Sequence, residues 1–162
     1  MNMSTLLSFG VSVEKMYGTA FYAMLHFWLM IISNSLTLAW SWFMVNVVPM
    51  KYHGGPDNYL QCGVGYSNIL FGIVLVFAYK GDRYVNFFGL CKFEKKYVPW
   101  FYLLAIYLTI PESSLAGHFF GILAGLLIKF GGLYVILPRY QWLSDFDYIY
   151  EAYIRAHKYF KA

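Results

Sequence analysis

Gly117-His118-Phe119-Phe120-Gly121-Ile122-Leu123-Ala124-Gly125 is the stretch on which the fold turns. Its glycines recur at every fourth residue, the small-xxx-small spacing that lets a second helix approach closely in a bilayer, where association rests on packing rather than on hydrophobic exclusion. A histidine shares the stripe, because His118 stands three residues before Gly121 on the same helical face. An ionisable side chain inside so apolar a run is costly to keep there and is a candidate functional group.

A partner for that stripe lies upstream in Cys62-Gly63-Val64-Gly65-Tyr66-Ser67-Asn68, at the start of another apolar run. Gly63 and Ser67 are four residues apart and fall on one face. If the two stripes meet, the His118 imidazole reaches the Ser67 hydroxyl and supplies the base that an otherwise poor nucleophile needs. Gly63, Gly117, Gly121 and Gly125 then serve helix packing. Each signal also has a plainer meaning, since small stripes pack and an intramembrane serine commonly bonds its own helix.

The rest of the chain suits such a pairing. Of its 162 residues 60% are hydrophobic and 12% charged, with a mean hydropathy of +0.51. Apolar runs cover residues 19 to 48, 62 to 79, 98 to 110 and 115 to about 128, the last extending to 137 if Lys129 snorkels to the interface. Trp40, Trp42, Trp100 and Trp142 fall towards run ends, where amphipathic rings favour the headgroup layer. The expected fold is all-α, a polytopic membrane helix bundle with about four complete transmembrane helices and a partial one at the N-terminus. It divides into a membrane domain, residues 1 to 138, and a cytosolic amphipathic tail, residues 139 to 162.

Charge sets the orientation. Lys80, Arg83, Lys92, Lys95 and Lys96 gather between residues 80 and 97, whereas residues 49 to 61 carry only Lys51 and Asp57. By the excess of basic residues in cytosolic loops, the first of these loops, Lys15 and the tail share the cytosolic side. Cys62 and Cys91 then lie at opposite membrane edges and do not pair. In the tail Phe146, Ile149, Tyr150, Tyr153 and Ile154 mark one helix face, with Ser144 as N-cap. That helix either lies on the membrane surface or docks on the protein's own core. Asn34, in the polar Ser33-Asn34-Ser35 interruption, either makes an interhelical hydrogen bond or lines a substrate path.

Several classes fall away. The net charge of +4 is not organised as a basic face, which excludes a nucleic-acid partner. His26, His53, His118 and His157 show no ligand spacing, so neither a metal nor another cofactor is expected. The opening residues lack the basic n-region of a signal peptide. A channel or transporter would carry polar stripes through several spans, and these are missing from the sequence.

Gly65-Tyr66-Ser67 and the stretch from Ala116 to Gly125 resemble the two signature helices of the rhomboid intramembrane serine proteases. Residues 62 to 71 and 111 to 126 look most like the endoplasmic-reticulum branch of that family. Asn2 resembles the asparagine of its second helix, and Glu14 with Gly18-Thr19 the Glu-to-Gly-Ser segment that follows. The resemblance implies a Ser67/His118 dyad without a carboxylate, with Asn2 as oxyanion donor, cleaving transmembrane protein substrates near their lumenal ends in an endomembrane. Phe71, one turn after Ser67, either packs on the imidazole or makes lipid and core contacts.

Two departures qualify that picture. The family's first helix, lumenal loop and a further histidine would precede Met1, so the chain reads as an N-terminally truncated core whose first helix has roughly ten residues, too few to cross. Asn68 stands where the family usually has glycine, and a larger residue there either crowds the oxyanion site or changes the approach of substrate. The alternative function is a non-catalytic rhomboid-like protein that binds membrane clients in quality control.

Overall fold

A computed structural model describes residues 2–47, 65–79, 83–87, 91–110, 114–130 and 140–156. The chain is helical from its second residue: α1 (Asn2–Thr5) passes through a π-helical turn, Leu6–Gly10, into α2 (Val11–Tyr17). This path is longer than the ten residues expected of it, because the π turn carries the helix on without breaking it. Gly18 breaks it with φ of +92°, a conformation open to glycine. The Thr19 hydroxyl donates to Glu14 Oε1 at 2.9 Å across that turn.

The run beginning at Thr19 becomes α3 (Thr19–Val47), 29 residues and about 43 Å long. Among the described residues it is the one helix both long and apolar enough to cross a membrane. Its interior face is Leu25, Leu29, Ser33 and Thr37, spaced every fourth residue. The Thr37 hydroxyl turns back to the Ser33 carbonyl at 2.8 Å, which satisfies it within its own helix. Asn34 is only half-buried beside this face.

The remaining apolar runs form shorter helices. They are α4 (Ser67–Ala78, 12 residues), α5 (Val98–Thr109, 12 residues) and α6 (Leu115–Phe130, 16 residues). At 1.5 Å per residue α4 and α6 span about 18 and 24 Å, less than a ~30 Å hydrocarbon core. Among the described residues the architecture is thus one long helix with shorter ones packed on it, in keeping with the expected all-α membrane bundle. Pro99 sits in the first turn of α5, where its missing N–H leaves no intrahelical bond unmade.

Between α4 and α5 the basic stretch, read from sequence as a loop, contains an antiparallel hairpin of β1 (Tyr84–Phe87) and β2 (Cys91–Glu94), with Tyr84 opposite Glu94 and Phe87 opposite Cys91. Glu94 closes its base by pairing with Arg83 at 3.1 Å and with Lys96. These two cations hold the Glu94 carboxyl below the usual carboxylate range, the hydrogen bond from Lys96 contributing most. The last helix, α7 (Tyr140–Ala156), starts one turn earlier than expected, so Ser144 lies within it rather than at its N-cap.

Glycine fixes how closely these helices approach. A Cβ on Gly121 would stand 2.0 Å from the Asn68 carbonyl oxygen, and one on Gly125 would stand 3.0 Å from that of Gly72. Gly72 in turn admits Leu29, whose Cδ2 would lie 2.5 Å from a Cβ there. So α4 is gripped between α6 and α3. Around it Val13, Leu25, Leu29, Ile69, Leu70, Ile73, Val76, Ala124 and Ile128 form the larger apolar core, with Phe71, Leu75, Ile106 and Ile122 as a second cluster towards α5.

Candidate active site

Ser67 is the first residue of α4, and its backbone N–H belongs to the set that has no intrahelical acceptor at a helix start. His118 is in the first turn of α6, with its own N–H bonded to the Ser114 carbonyl at 3.1 Å. Because the glycine stripe of α6 seats directly on Asn68 and Gly72, the two helix starts come level. His118 Nε2 lies 3.0 Å from Ser67 Oγ. His118 is buried, and Ser67 is half-exposed.

The imidazole is held from behind. The Phe71 ring lies 4.6 Å from it, centroid to centroid, at an interplanar angle of 32°, and Phe71 packs in turn on Tyr102 at 5.4 Å. Of the roles left open for Phe71 it takes two together, contact with the imidazole and core packing with Leu75, Ile106 and Ile122. Tyr102 also bonds the Thr5 hydroxyl, which ties the N-terminal helix to the same wall.

Asn68 does not project over the nucleophile. Its side chain is 1% exposed and lies against α6, where a Cβ on Gly117 would meet its Oδ1 at 2.9 Å. The expected crowding of the oxyanion side is therefore corrected: the bulk enters the α4–α6 contact. Both Asn68 amide atoms are buried without a hydrogen-bond partner among the described residues. Asn2 opens α1, and its side chain lies outside the described residues, as does Gly63. Gly117, Gly121 and Gly125 are all buried, in the packing role expected of them.

Two contributors escaped the sequence reading. Gly72 is the small residue on α4 that meets α6 and α3 together; a lone glycine inside an apolar run was its only signal. His26, on α3, places Nε2 2.7 Å from the Tyr66 hydroxyl, one residue before the serine. No local pattern links residues 40 positions apart. Among the described residues no cluster of three or more His, Cys, Asp or Glu side chains is placed to hold a metal ion.

Fold and site together define an integral membrane protein of glycine-packed helices with a serine and a histidine paired at one helix interface. The chain belongs to the rhomboid family: the Rhomboid domain matches residues 1–135. It is 30% identical over 137 residues to Rhomboid-related protein 4 of Homo sapiens, covering 84% of this chain and 42% of that one. Its identity to the Rattus norvegicus protein of that name is 31% over 137 residues, again 84% and 42%. With Rhomboid-like protein 14, mitochondrial, of Arabidopsis thaliana the identity is 28% over 134 residues, 82% of this chain and 39% of the relative. The chain thus spans about two fifths of the length of these relatives. No solved structure matches it.

Proposed function

We propose that this chain carries the catalytic pair of an intramembrane serine endopeptidase that cleaves membrane-anchored proteins. The observation behind the proposal is the 3.0 Å separation of His118 Nε2 and Ser67 Oγ, within reach for proton transfer. Ser67 Oγ attacks the scissile carbonyl while His118 Nε2 takes its proton. The imidazolium returns that proton to the leaving amine, and water, deprotonated by the same nitrogen, then hydrolyses the acyl-enzyme. The Ser67 N–H is positioned by the helix start to donate to the oxyanion, with the Asn2 amide as the second donor; one such donor contributes about 2.7 to 4 kcal/mol where it has been removed elsewhere. Packing on Phe71 keeps the ring oriented between these steps. The resemblance of residues 62 to 71 and 111 to 126 to the endoplasmic-reticulum branch of the family is the ground for an endomembrane location.

The test is covalent labelling of the full-length gene product in membranes with a fluorophosphonate probe. Labelling is expected in the wild type, absent in Ser67→Ala and strongly reduced in His118→Ala. A correctly folded wild type that takes no label overturns the proposal and leaves the client-binding role.

A further inference from the structure

Helix α7 is held to the rest of the protein by a polar contact at a specific place. Asp147 Oδ1 accepts the Ala20 backbone N–H at 2.9 Å, and a Cβ on Gly18 would stand 2.2 Å from its other oxygen. Ala20 is in the first turn of α3, where N–H groups lack intrahelical acceptors and the helix dipole favours a negative charge. Asp147 is thus a cap supplied from the far end of the sequence. Among the described residues α3 is the helix long and apolar enough to cross a bilayer, and α7 is moored beside its first turn.

The face of α7 beside this mooring is apolar and open. Trp142, Phe146, Ile149 and Tyr150 fall within an arc of about 100° on the helix. They are 74%, 62%, 66% and 52% exposed. Aromatic residues of this kind favour the headgroup layer, where the ring body is sheltered and the polar edge stays wet. Within residues 140–156 the acids Asp145, Asp147 and Glu151 outnumber the one base, Arg155, so the helix itself carries net negative charge, with the bases Arg139, Lys158 and Lys161 only in the flanking sequence.

We propose that α7 lies in the headgroup layer of the bilayer spanned by the rest of the chain, with Trp142, Phe146, Ile149 and Tyr150 turned to zwitterionic lipid and Asp147 turned to the α2–α3 turn. The partner is a phosphocholine-type surface bound by ring insertion. This is independent of whether Ser67 is catalytic.

Spin labels test it on the full chain, with Cys62→Ser and Cys91→Ser as background and single replacements Phe146→Cys, Ile149→Cys and Ser144→Cys. In phosphatidylcholine nanodiscs, labels at 146 and 149 are expected to be several-fold more accessible to oxygen than to a water-soluble nickel chelate, with the reverse at 144. Adding phosphatidylserine should leave the pattern unchanged, and Asp147→Ala should make the label at 149 more mobile. Nickel-preferring labels at both 146 and 149 overturn the proposal. So does spin–spin broadening that unlabelled protein dilutes away, because a second copy would then occupy the face. Oxygen preference that appears only with phosphatidylserine overturns the zwitterionic assignment.

Discussion

The Tyr66 hydroxyl lies 2.7 Å from His26 Nε2, and the other ring nitrogen, Nδ1, lies 3.2 Å from the Tyr22 carbonyl. A carbonyl only accepts, so Nδ1 carries a proton, and in that tautomer Nε2 accepts the Tyr66 O–H. The residue before Ser67 is thereby tied to α3. The proposed nucleophile then depends on this tie for its placement. Tyr66→Phe keeps the ring stacking at 6.0 Å and removes only the bond. It should slow fluorophosphonate labelling about fivefold, the rate equivalent of about 1 kcal/mol. His26→Ala removes the stacking as well as the bond and should slow labelling at least as much, and adding Tyr66→Phe to it should cost little further. Additive losses would show that the two residues act separately.

The glycines of α6 differ in what their neighbours can yield. Gly121→Ala drives a Cβ against the Asn68 backbone carbonyl and should destabilise the fold by about 1 to 3 kcal/mol. Gly117→Ala meets an amide side chain that can rotate and should cost less, with Gly125→Ala, facing both a Leu75 methyl and the Gly72 carbonyl, in between. Unfolding titrations in mixed micelles measure the order. Equal losses would mean that backbone contact does not limit the approach.

Asn68 offers a test in the opposite direction. Its amide is buried with no hydrogen-bond partner among the described residues, so the nearly isosteric Asn68→Leu exchanges a desolvated polar group for apolar contact. Stability in the same titration should hold or rise by roughly 1 kcal/mol, and the protein should still take the probe. A large loss would show that the amide has a partner in the membrane.

The base of the hairpin should respond to acid. The Glu94 carboxyl is held below its ordinary value of 4.5 by Lys96 and Arg83. A group with a lowered pKa stabilises the folded state above its unfolded pKa, and that contribution fades as pH falls through the folded value. Protection of the Lys95 amide, bonded to the Arg83 carbonyl at 2.9 Å, should therefore be constant above 4.5 and decline only below it. In Glu94→Gln, exchange corrected for intrinsic rate should show no such decline.

Orientation is tested by labelling the two cysteines from either side. By the basic residues around the hairpin, Cys91 is expected on the cytosolic side and Cys62 on the lumenal side. A membrane-impermeant maleimide applied to sealed, cytosol-facing-out vesicles should modify Cys91 and spare Cys62. The reverse result would turn the proposed site towards the cytosol.

The parts of this molecule that were legible in its sequence are those written in local periodicity. The glycine stripe of α6 and the limits of α3 follow from residue spacing along single helices, whereas the pairing of Ser67 with His118 was conditional on two stripes meeting and was otherwise implied by the resemblance to the rhomboid proteases. The hairpin was obscured because Lys92, Glu94, Lys95 and Lys96 read as solvated charge, while its strands are four residues each. Contacts that join distant segments left no trace: His26 with Tyr66, Leu29 with Gly72 and Asp147 with Ala20 depend on how α3 and α7 lie. The direction of the Asn68 side chain was misread for the same reason, since it is set by the close approach of Gly117.

Asp147 stands 127 positions after the Ala20 amide it caps. A nascent chain makes the first turn of α3 long before it makes the acceptor for that turn's donor, so the cap forms only after the intervening helices have been added. A chain interrupted before Asp147 keeps the Ala20 amide at the α2–α3 turn without this acceptor.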